Sequence, residues 1–329
     1  MALQVIHQQG DDRIARVHVA RLDDGTCIEM VESLQPPRWR EDKWVLIVST
    51  LKGCPVRCPI CDAGGSFSGG LSRDEILGQI DFMVDRHYPD RWIPCRHFKI
   101  QFARMGDPAF NDAVLDVLEE LPVRYDAPGL MPCISTVAPA GRNRFFDRLL
   151  ELRTRLYPER FQMQFSLHTT DPEVRNRLIP ARTWTFRQMA DYGTKFHGRG
   201  GRKVALNFAV ARGVPLDAAV LAETFSPDVF AVKLTPINPT AAAVSSGLTG
   251  LIDPARPQDA DAVAAPFRDQ GYEVIVSIGE NEENRIGSNC GMFVSQPAVS
   301  NGRAESTVGI AQVAAGLDGQ SSGNGARAC

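Results

Sequence analysis

The sequence predicts an α/β fold: a partial (β/α)6 barrel with an N-terminal β-hairpin extension and a disordered C-terminal tail. Three observations carry that expectation. Short runs of β-branched and aromatic residues alternate with longer amphipathic runs along most of the 329 residues, the pattern of a parallel sheet covered by helices. Near the start, an Asp-Gly turn joins two alternating runs, which is a hairpin signature. From Gln296 onward the chain turns to Ser, Gly, Ala and Asn with few large apolar residues, and such a segment buries too little surface to offset its chain entropy.

Taken in order, the hairpin covers residues 14–31, with Asp24-Gly25 at its turn. A loop rich in Pro and Arg from Gln35 to Lys43 leads into a buried strand, Trp44–Ser49. Ser72 and Glu75 form a capping box that opens a helix over Ile76–Arg86, because each side chain satisfies a backbone N–H of the first turn. Strand 98–104 then precedes a helix from Asn111, and strand Cys133–Thr136 precedes the helix Asn143–Tyr157. Strand Gln162–Leu167 is followed by a short helix, Pro172–Leu178, and a longer one, Phe186–His197. Strand Val204–Val210 pairs with helix Leu216–Phe225, and strand Phe230–Leu234 with helix Asp259–Gln270. Strand Glu273–Val276 closes the series. The expected divisions are residues 1–43 for the extension, 44–295 for the barrel and 296–329 for the tail. In such folds the chemistry gathers at the C-terminal ends of the strands.

Composition narrows the function classes. A hydrophobic content of 43% with 23% charged residues is that of an ordinary globular protein. No apolar run is long enough to span a bilayer, and no basic-then-apolar leader opens the chain. A net charge of −3 and a pI near 6.1 give no global attraction to phosphate backbones. Clusters such as Arg153, Arg155 and Arg160, or Arg199, Arg202 and Lys203, read as solvated faces. Eight cysteines without a leader read as ligands or reactive thiols, which places the protein in a reducing cytoplasm.

The run Gly53-Cys-Pro-Val-Arg-Cys-Pro-Ile-Cys61 concentrates the chemistry. Cys54, Cys58 and Cys61 supply three thiolates from one tight loop, directly after a predicted strand. Soft thiolates select zinc, copper(I) or iron–sulfur clusters. Structural zinc usually closes with a fourth ligand at short spacing, yet after Cys61 the next Cys is Cys95 and the nearest His residues are His87 and His97. Three ligands without an obvious fourth suit a four-iron cluster with one iron open to a substrate. A zinc site is the rival reading.

The Cys-x3-Cys-x2-Cys spacing resembles that of the radical S-adenosylmethionine (SAM) superfamily. Further segments resemble its class A methyltransferases, the RNA adenine methylases, across roughly residues 13–293. Gly106-Asp-Pro-Ala-Phe-Asn111 is similar to their Gly-Glu-Pro-x-x-Asn, and Ile134-Ser-Thr136 to their Leu-Ser-Thr. Ser166-Leu-His168 with Glu173-Val-Arg175 and Pro180 is similar to their Ser-Leu-His…Glu-Ile-Arg…Pro. Lys233-Leu-Thr-Pro-Ile-Asn-Pro239 resembles Asn-Leu-Ile-Pro-x-Asn-Pro, and Ser288-Asn-Cys-Gly291 resembles Ala-Ala-Cys-Gly.

The resemblance implies a [4Fe-4S] cluster on Cys54, Cys58 and Cys61, and SAM lined by Gly106, Asp107, Ser135, Ser166 and Asn238. It implies a reductant such as flavodoxin or ferredoxin, and cleavage of SAM to a 5′-deoxyadenosyl radical. It makes Cys290 the methyl carrier, delivering a methylene to an sp2 carbon of the substrate. Two departures modify the expectation. Ile47 stands where the family has a second Cys, seven residues before Cys54, and among the other thiols, Cys329, Cys27, Cys95 and Cys133, the sequence selects no replacement. Only 53 residues precede Cys54, so the family's helical RNA-binding domain is expected to be absent. A small-molecule substrate is therefore preferred, with no membrane partner. The alternatives are a non-methylating radical SAM enzyme in which Cys290 donates hydrogen or a proton, and an RNA methyltransferase that docks through a partner.

Overall fold

The structure, a computed structural model, describes residues 3–34, 36–198, 201–253, 256–278 and 286–287. Three antiparallel strands begin the chain: β1 (Gln4–Gly10), β2 (Ala15–Arg21) and β3 (Cys27–Ser33). β3 pairs antiparallel with β4 (Trp44–Val48), through Val31 opposite Ile47. The hairpin extension is thereby continuous with the main sheet. Two short strands, β5 (Leu51–Lys52) and β6 (Gly69–Gly70), pair with each other at the base of the cysteine loop.

Six βα units follow β4. Their strands are β4 itself, β7 (Phe98–Phe102), β8 (Leu130–Thr136), β9 (Gln162–Ser166), β10 (Val204–Val210) and β11 (Phe230–Pro236), and β12 (Glu273–Val276) closes the parallel series. The main helices are α1 (Arg73–Asp85), α2 (Ala113–Arg124), α3 (Asn143–Leu156), α4 (Pro172–Leu178), α5 (Phe186–His197), α6 (Ala218–Ala222), α7 (Ala241–Ser245) and α8 (Ala260–Asp269). One sheet of ten strands runs β1-β2-β3-β4-β7-β8-β9-β10-β11-β12, parallel from β4 onward. The predicted partial barrel is present.

Alternation gives the sheet two different faces. Trp44, Phe98, Phe102, Phe165, Phe208 and Phe230 point toward the helices and are almost wholly buried in one large apolar core. The intervening residues form the concave face. Near β2–β4 that face is apolar, with Val17, Val19 and Val31 packed against Ile47 and Ile286. Farther along it becomes polar.

Local signals account for most element boundaries. Ser72 accepts from the Glu75 N–H at 3.2 Å while Glu75 accepts from the Ser72 N–H at 2.7 Å, which completes the expected capping box of α1. Strand β1 was not expected. It is a Gln-rich edge strand with a register shift between Val5 and His7, and polar edge strands carry little hydrophobic signal. α6 is shorter than the predicted Leu216–Phe225, because Asp217 caps it by accepting from the Ala219 and Val220 N–H groups. Among the described residues no helix is long and apolar enough to cross a membrane. The tail from Gln296, with Cys329, and the Ser288–Gly291 motif, with Cys290, lie outside the described residues.

Candidate active site

The cysteine loop leaves the C-terminal end of β4 and is cinched where it starts and returns. The N–H groups of Thr50 and Leu51 both bond the Met105 carbonyl, at 2.9 and 3.1 Å. Gly53, at φ +82°, starts the excursion, and a Cβ there would lie 1.3 Å from the Ser66 carbonyl oxygen. Only glycine fits that crossing. Inside the loop the Cys61 N–H bonds the Cys58 carbonyl at 3.1 Å, and Arg57 adopts a left-handed φ of 59°. Val56 is buried against Val137, Leu178 and Ile179, with Cys54 and Cys58 at the edge of that cluster. The loop is anchored by an apolar residue between its ligands.

Burial pushes the Cys54 thiol pKa up, while N–H groups of Val56, Asp107 and Arg57 aimed at its sulfur act in the other direction. Burial also raises Cys58, and Cys61, Cys54 and Asp107 add to the rise, with Arg175 opposing it. Raised in this way, Cys54 and Cys58 hold their protons until a cationic centre replaces them. Their donor chemistry fits a sulfur-ligated metal group. Three thiolates from one loop suit a polynuclear cluster, in which each thiolate binds its own iron.

Gly106 and Asp107 follow β7 and face this loop. Gly106 has φ +88°, and a Cβ there would sit 2.4 Å from the Leu51 side chain. The Asp107 carboxylate accepts from the Ala109 N–H at 2.9 Å, the Thr136 hydroxyl at 2.8 Å and the Val137 N–H at 2.6 Å. Burial pushes its pKa up to about 6 against these bonds and the Arg175 charge. Asp107 thus ties the turn after β7 to the end of β8. Ser135 lies on the concave face of β8, with its hydroxyl buried and lacking a hydrogen-bond partner among the described residues. Ser166 ends β9, and its carbonyl accepts from Arg175 at 3.1 Å. Asn238 is half-buried after β11, and the stretch it begins is clamped to the cysteine loop. The Thr240 hydroxyl donates to the Ile60 carbonyl at 3.1 Å, and Asp62 accepts from the Ala241 and Ala242 N–H groups at 3.2 and 2.8 Å.

Arg175 and the Arg104–Glu29 pair, to which the sequence assigns no role, organise this end of the barrel. Arg175 in α4 is buried, donates to the Val137 carbonyl at 2.9 Å and the Thr183 hydroxyl at 2.5 Å, and lies close enough to Cys58 and Asp107 to feel both. Burial lowers its pKa to about 10. Its sequence signal is its place in the Glu173-Val-Arg175 segment, which assigns the arginine no role by itself. Arg104 and Glu29 form a buried ion pair, Nε to Oε2 at 2.9 Å, and Arg104 also donates to the Gly287 carbonyl at 2.9 Å. With Ile286 packed beside Ile47, this anchors the segment three residues before Cys290 on the concave face. Among the other thiols, Cys95 is buried in the helix-side core. Cys133 lies on the concave face in the same cross-strand row as Gln101 and Ile47.

His168 has φ 65° and accepts the Ala209 N–H on Nδ1 at 3.1 Å. Burial, with Arg175 nearby, lowers its pKa to about 4, so the ring is neutral. A second group of metal-type side chains, Asp12, Glu32 and His87, lies on the helix side of the sheet. There Glu32 already binds His18, His87 and Arg86, an internally satisfied network.

No family model matches the chain. It is 27% identical over 302 residues to a probable dual-specificity RNA methyltransferase RlmN of Streptomyces griseus, covering 88% of this chain and 76% of the relative. The protein of that name from Corynebacterium diphtheriae is 29% identical over 248 residues, covering 70% of this chain and 62% of the relative. A crystal structure of a radical SAM methyltransferase from Sphaerobacter thermophilus superposes with a TM-score of 0.66 at 21% identity, covering 88% of this chain and 80% of that one. That likeness shows the fold. The sequence homology supports enzymatic, transferase-like activity, and with the cysteine loop it supports radical SAM chemistry. The findings together support homology to the RlmN-like methyltransferases of the radical SAM superfamily, at low-to-moderate identity over most of the chain.

Proposed function

We propose that the protein transfers a methyl or methylene group to an sp2 carbon of a small-molecule substrate, with Cys290 as the carrier. Cys54, Cys58 and Cys61 hold a [4Fe-4S] cluster, and Gly106, Asp107, Ser135, Ser166 and Asn238 line SAM. When bound, that pair supplies a 5′-deoxyadenosyl radical, with the electron coming from a flavodoxin or ferredoxin. Cys290 would lose its thiol proton and take the methyl group of one SAM, with S-adenosylhomocysteine leaving. It would then give one hydrogen atom of that methyl to the 5′-deoxyadenosyl radical from a second SAM and bond the resulting methylene to the sp2 carbon of the substrate. An oxygen-sensitive thiolate site fits a reducing cytoplasm.

One observation carries the assignment of Cys290: the anchoring of Ile286–Gly287 beside Ile47 and Arg104 on the concave face. Gly287 stands three residues before Cys290 in the chain. The apolar Ile47 does no thiol chemistry, so release of the product depends on another group.

The test is anaerobic reconstitution with iron and sulfide, reduction, and addition of SAM labelled in its methyl group. The expected result is 5′-deoxyadenosine, together with label on the Cys290 peptide by mass spectrometry; Cys54→Ala abolishes the 5′-deoxyadenosine. If SAM is cleaved and Cys290 never gains label, methyl carriage is refuted in favour of Cys290 as a hydrogen or proton donor. The relatives' names favour a second reading, an RNA substrate docked through a partner. That reading requires RNA binding that falls steeply with salt, and lack of binding at low salt removes it.

A further inference from the structure

Val56 holds the cysteine loop to the barrel by packing against Val137, Leu178 and Ile179, and Ala181 and Val214 edge the same cluster. Four arginines rise from the segments that meet there. Arg57 follows Val56, Arg177 precedes Leu178, Arg182 follows Ala181, and Arg212 stands two residues before Val214. Backbone bonds fix two of these segments: the Arg182 carbonyl accepts from the Ala140 N–H at 2.8 Å, and the Arg212 N–H donates to the Thr249 carbonyl at 2.9 Å. Two residues of chain span at most roughly 7 Å. All four backbones therefore lie close to one apolar cluster, within the footprint of a single protein contact of about 800 Å² a side.

Two features of these arginines point to a partner. All four are exposed, and among the described residues none of their side chains makes a hydrogen bond, an ion pair or a ring contact. On the helix side the same residue type is spent inside the molecule, where Arg124, Arg148 and Arg155 each meet a carboxylate on an adjoining helix. The acids near the cysteine loop are engaged elsewhere or unpaired. Asp171, Asp217 and Asp62 accept from N–H groups at the starts of α4, α6 and α7, and Glu173, one turn before Arg177, is exposed without pairing to it. The second feature is Arg57 itself, held at φ 59° between two of the thiols. That left-handed backbone strains a bulky residue, and glycine or asparagine would relieve it. The Arg57 Cα packs on Gly64, where a Cβ would lie 2.7 Å away, but the exposed side chain returns no bond to the loop. The strained position thus presents a cation outward with no internal use.

We propose that Arg57, Arg177, Arg182 and Arg212 form the docking surface for an acidic protein that donates one electron, placed where that electron enters through the cysteine loop. The inference rests on the reading that Cys54, Cys58 and Cys61 hold a redox cluster. The donor loses one electron to the group held by the loop, and no bond or proton passes between the two proteins. Charge of one sign around a site steers an oppositely charged partner and raises its association rate. The chain as a whole carries −3, so a local cationic surface is what overcomes the repulsion between it and an acidic donor. Electron-transfer contacts are small, below about 1,200 Å² in total, and four long side chains around one loop suffice to rim one.

Calorimetric titration of the full chain with an acidic, FMN-loaded flavodoxin tests this. Saturable binding is expected, weakening at least about tenfold between about 25 and about 200 mM salt, as the screening length falls from about 19 to about 7 Å. Arg177→Glu/Arg182→Glu should weaken it more than about tenfold. Arg57→Gly, which keeps the left-handed backbone, should weaken it about threefold. Lys195→Glu, in the last turn of α5 and also exposed, should match the parent. Melting curves establish that the variants fold. Heats no larger than those of dilution, binding indifferent to salt, or binding undiminished in both arginine variants overturns the docking surface. A single-stranded RNA oligonucleotide that binds in place of flavodoxin, and is weakened by the same variants, overturns it in favour of RNA. Release of 5′-deoxyadenosine with dithionite reports the radical chemistry separately. Its failure in the parent sinks the cluster reading, whereas its persistence in variants that have lost flavodoxin-driven release marks a lost docking contact.

Discussion

Arg104→Met separates anchoring of the C-terminal segment from the rest of the fold. The Arg104 and Glu29 side chains are 3% and 0% exposed. Removing the guanidinium leaves a carboxylate buried without its main counter-charge, which costs about 3–5 kcal/mol. The lost charged donor to the Gly287 carbonyl adds about 1–3 kcal/mol. Against a typical stability of about 5–15 kcal/mol, the variant folds with a thin margin. At a urea slope of about 2–3 kcal/mol per molar, the combined loss lowers the unfolding midpoint by about 1.3–4 M. The double variant Glu29→Leu/Arg104→Met removes both charges and should recover about half of that loss. Label reaching Cys290 from SAM should fall more than 5′-deoxyadenosine release, because Gly287 has lost its tether. Two assays decide it, urea melts and mass spectrometry of the Cys290 peptide. A single-variant midpoint shift below about 0.3 M refutes the energetic argument. Undiminished labelling in a clearly destabilised protein refutes the anchoring role.

Two further outcomes follow from the geometry. Gly53→Ala places a methyl group against the Ser66 carbonyl at a left-handed φ, so it should cost more than about 1 kcal/mol and prevent the visible absorbance of a reconstituted cluster; normal absorbance would show that the loop yields easily. Glu32 is raised by burial, but bonds from His18 and His87 and the Arg86 charge outweigh this and hold it at about 2, against an ordinary 4.5. Its folded pKa is depressed, so its stabilisation, about 3 kcal/mol, is present above pH 4.5 and lost as pH falls toward 2. Glu32→Gln should lose that amount at neutral pH and show a flatter acid limb in urea melts taken between those values, and an unchanged limb would place the acid sensitivity elsewhere.

Much of the frame is readable from local chemistry. The spans of α4, α5, β10 and β12 coincide with the expected ones, because caps such as Asp171 and Thr185 and the bounding turns act within a few residues. The cysteine loop is readable for the same reason: all three ligands fall within eight residues, so their spacing alone brings them together. β1 escaped because a polar edge strand draws its stability from backbone pairing, not from an apolar pattern.

Local chemistry along the chain sets the order of the βα units, the sulfur loop at the end of the first parallel strand, and the absence of a thiol at Ile47. Tertiary structure alone placed Arg175 beside Cys58, joined Glu29 to Arg104 and Gly287, and brought the segments of Arg57, Arg177, Arg182 and Arg212 to one apolar cluster. Those residues are far apart in the chain, and their proximity depends on sheet register and crossover packing. An arginine in a loop or short helix has no readable neighbours until the strands are paired and the segments at their ends are packed together.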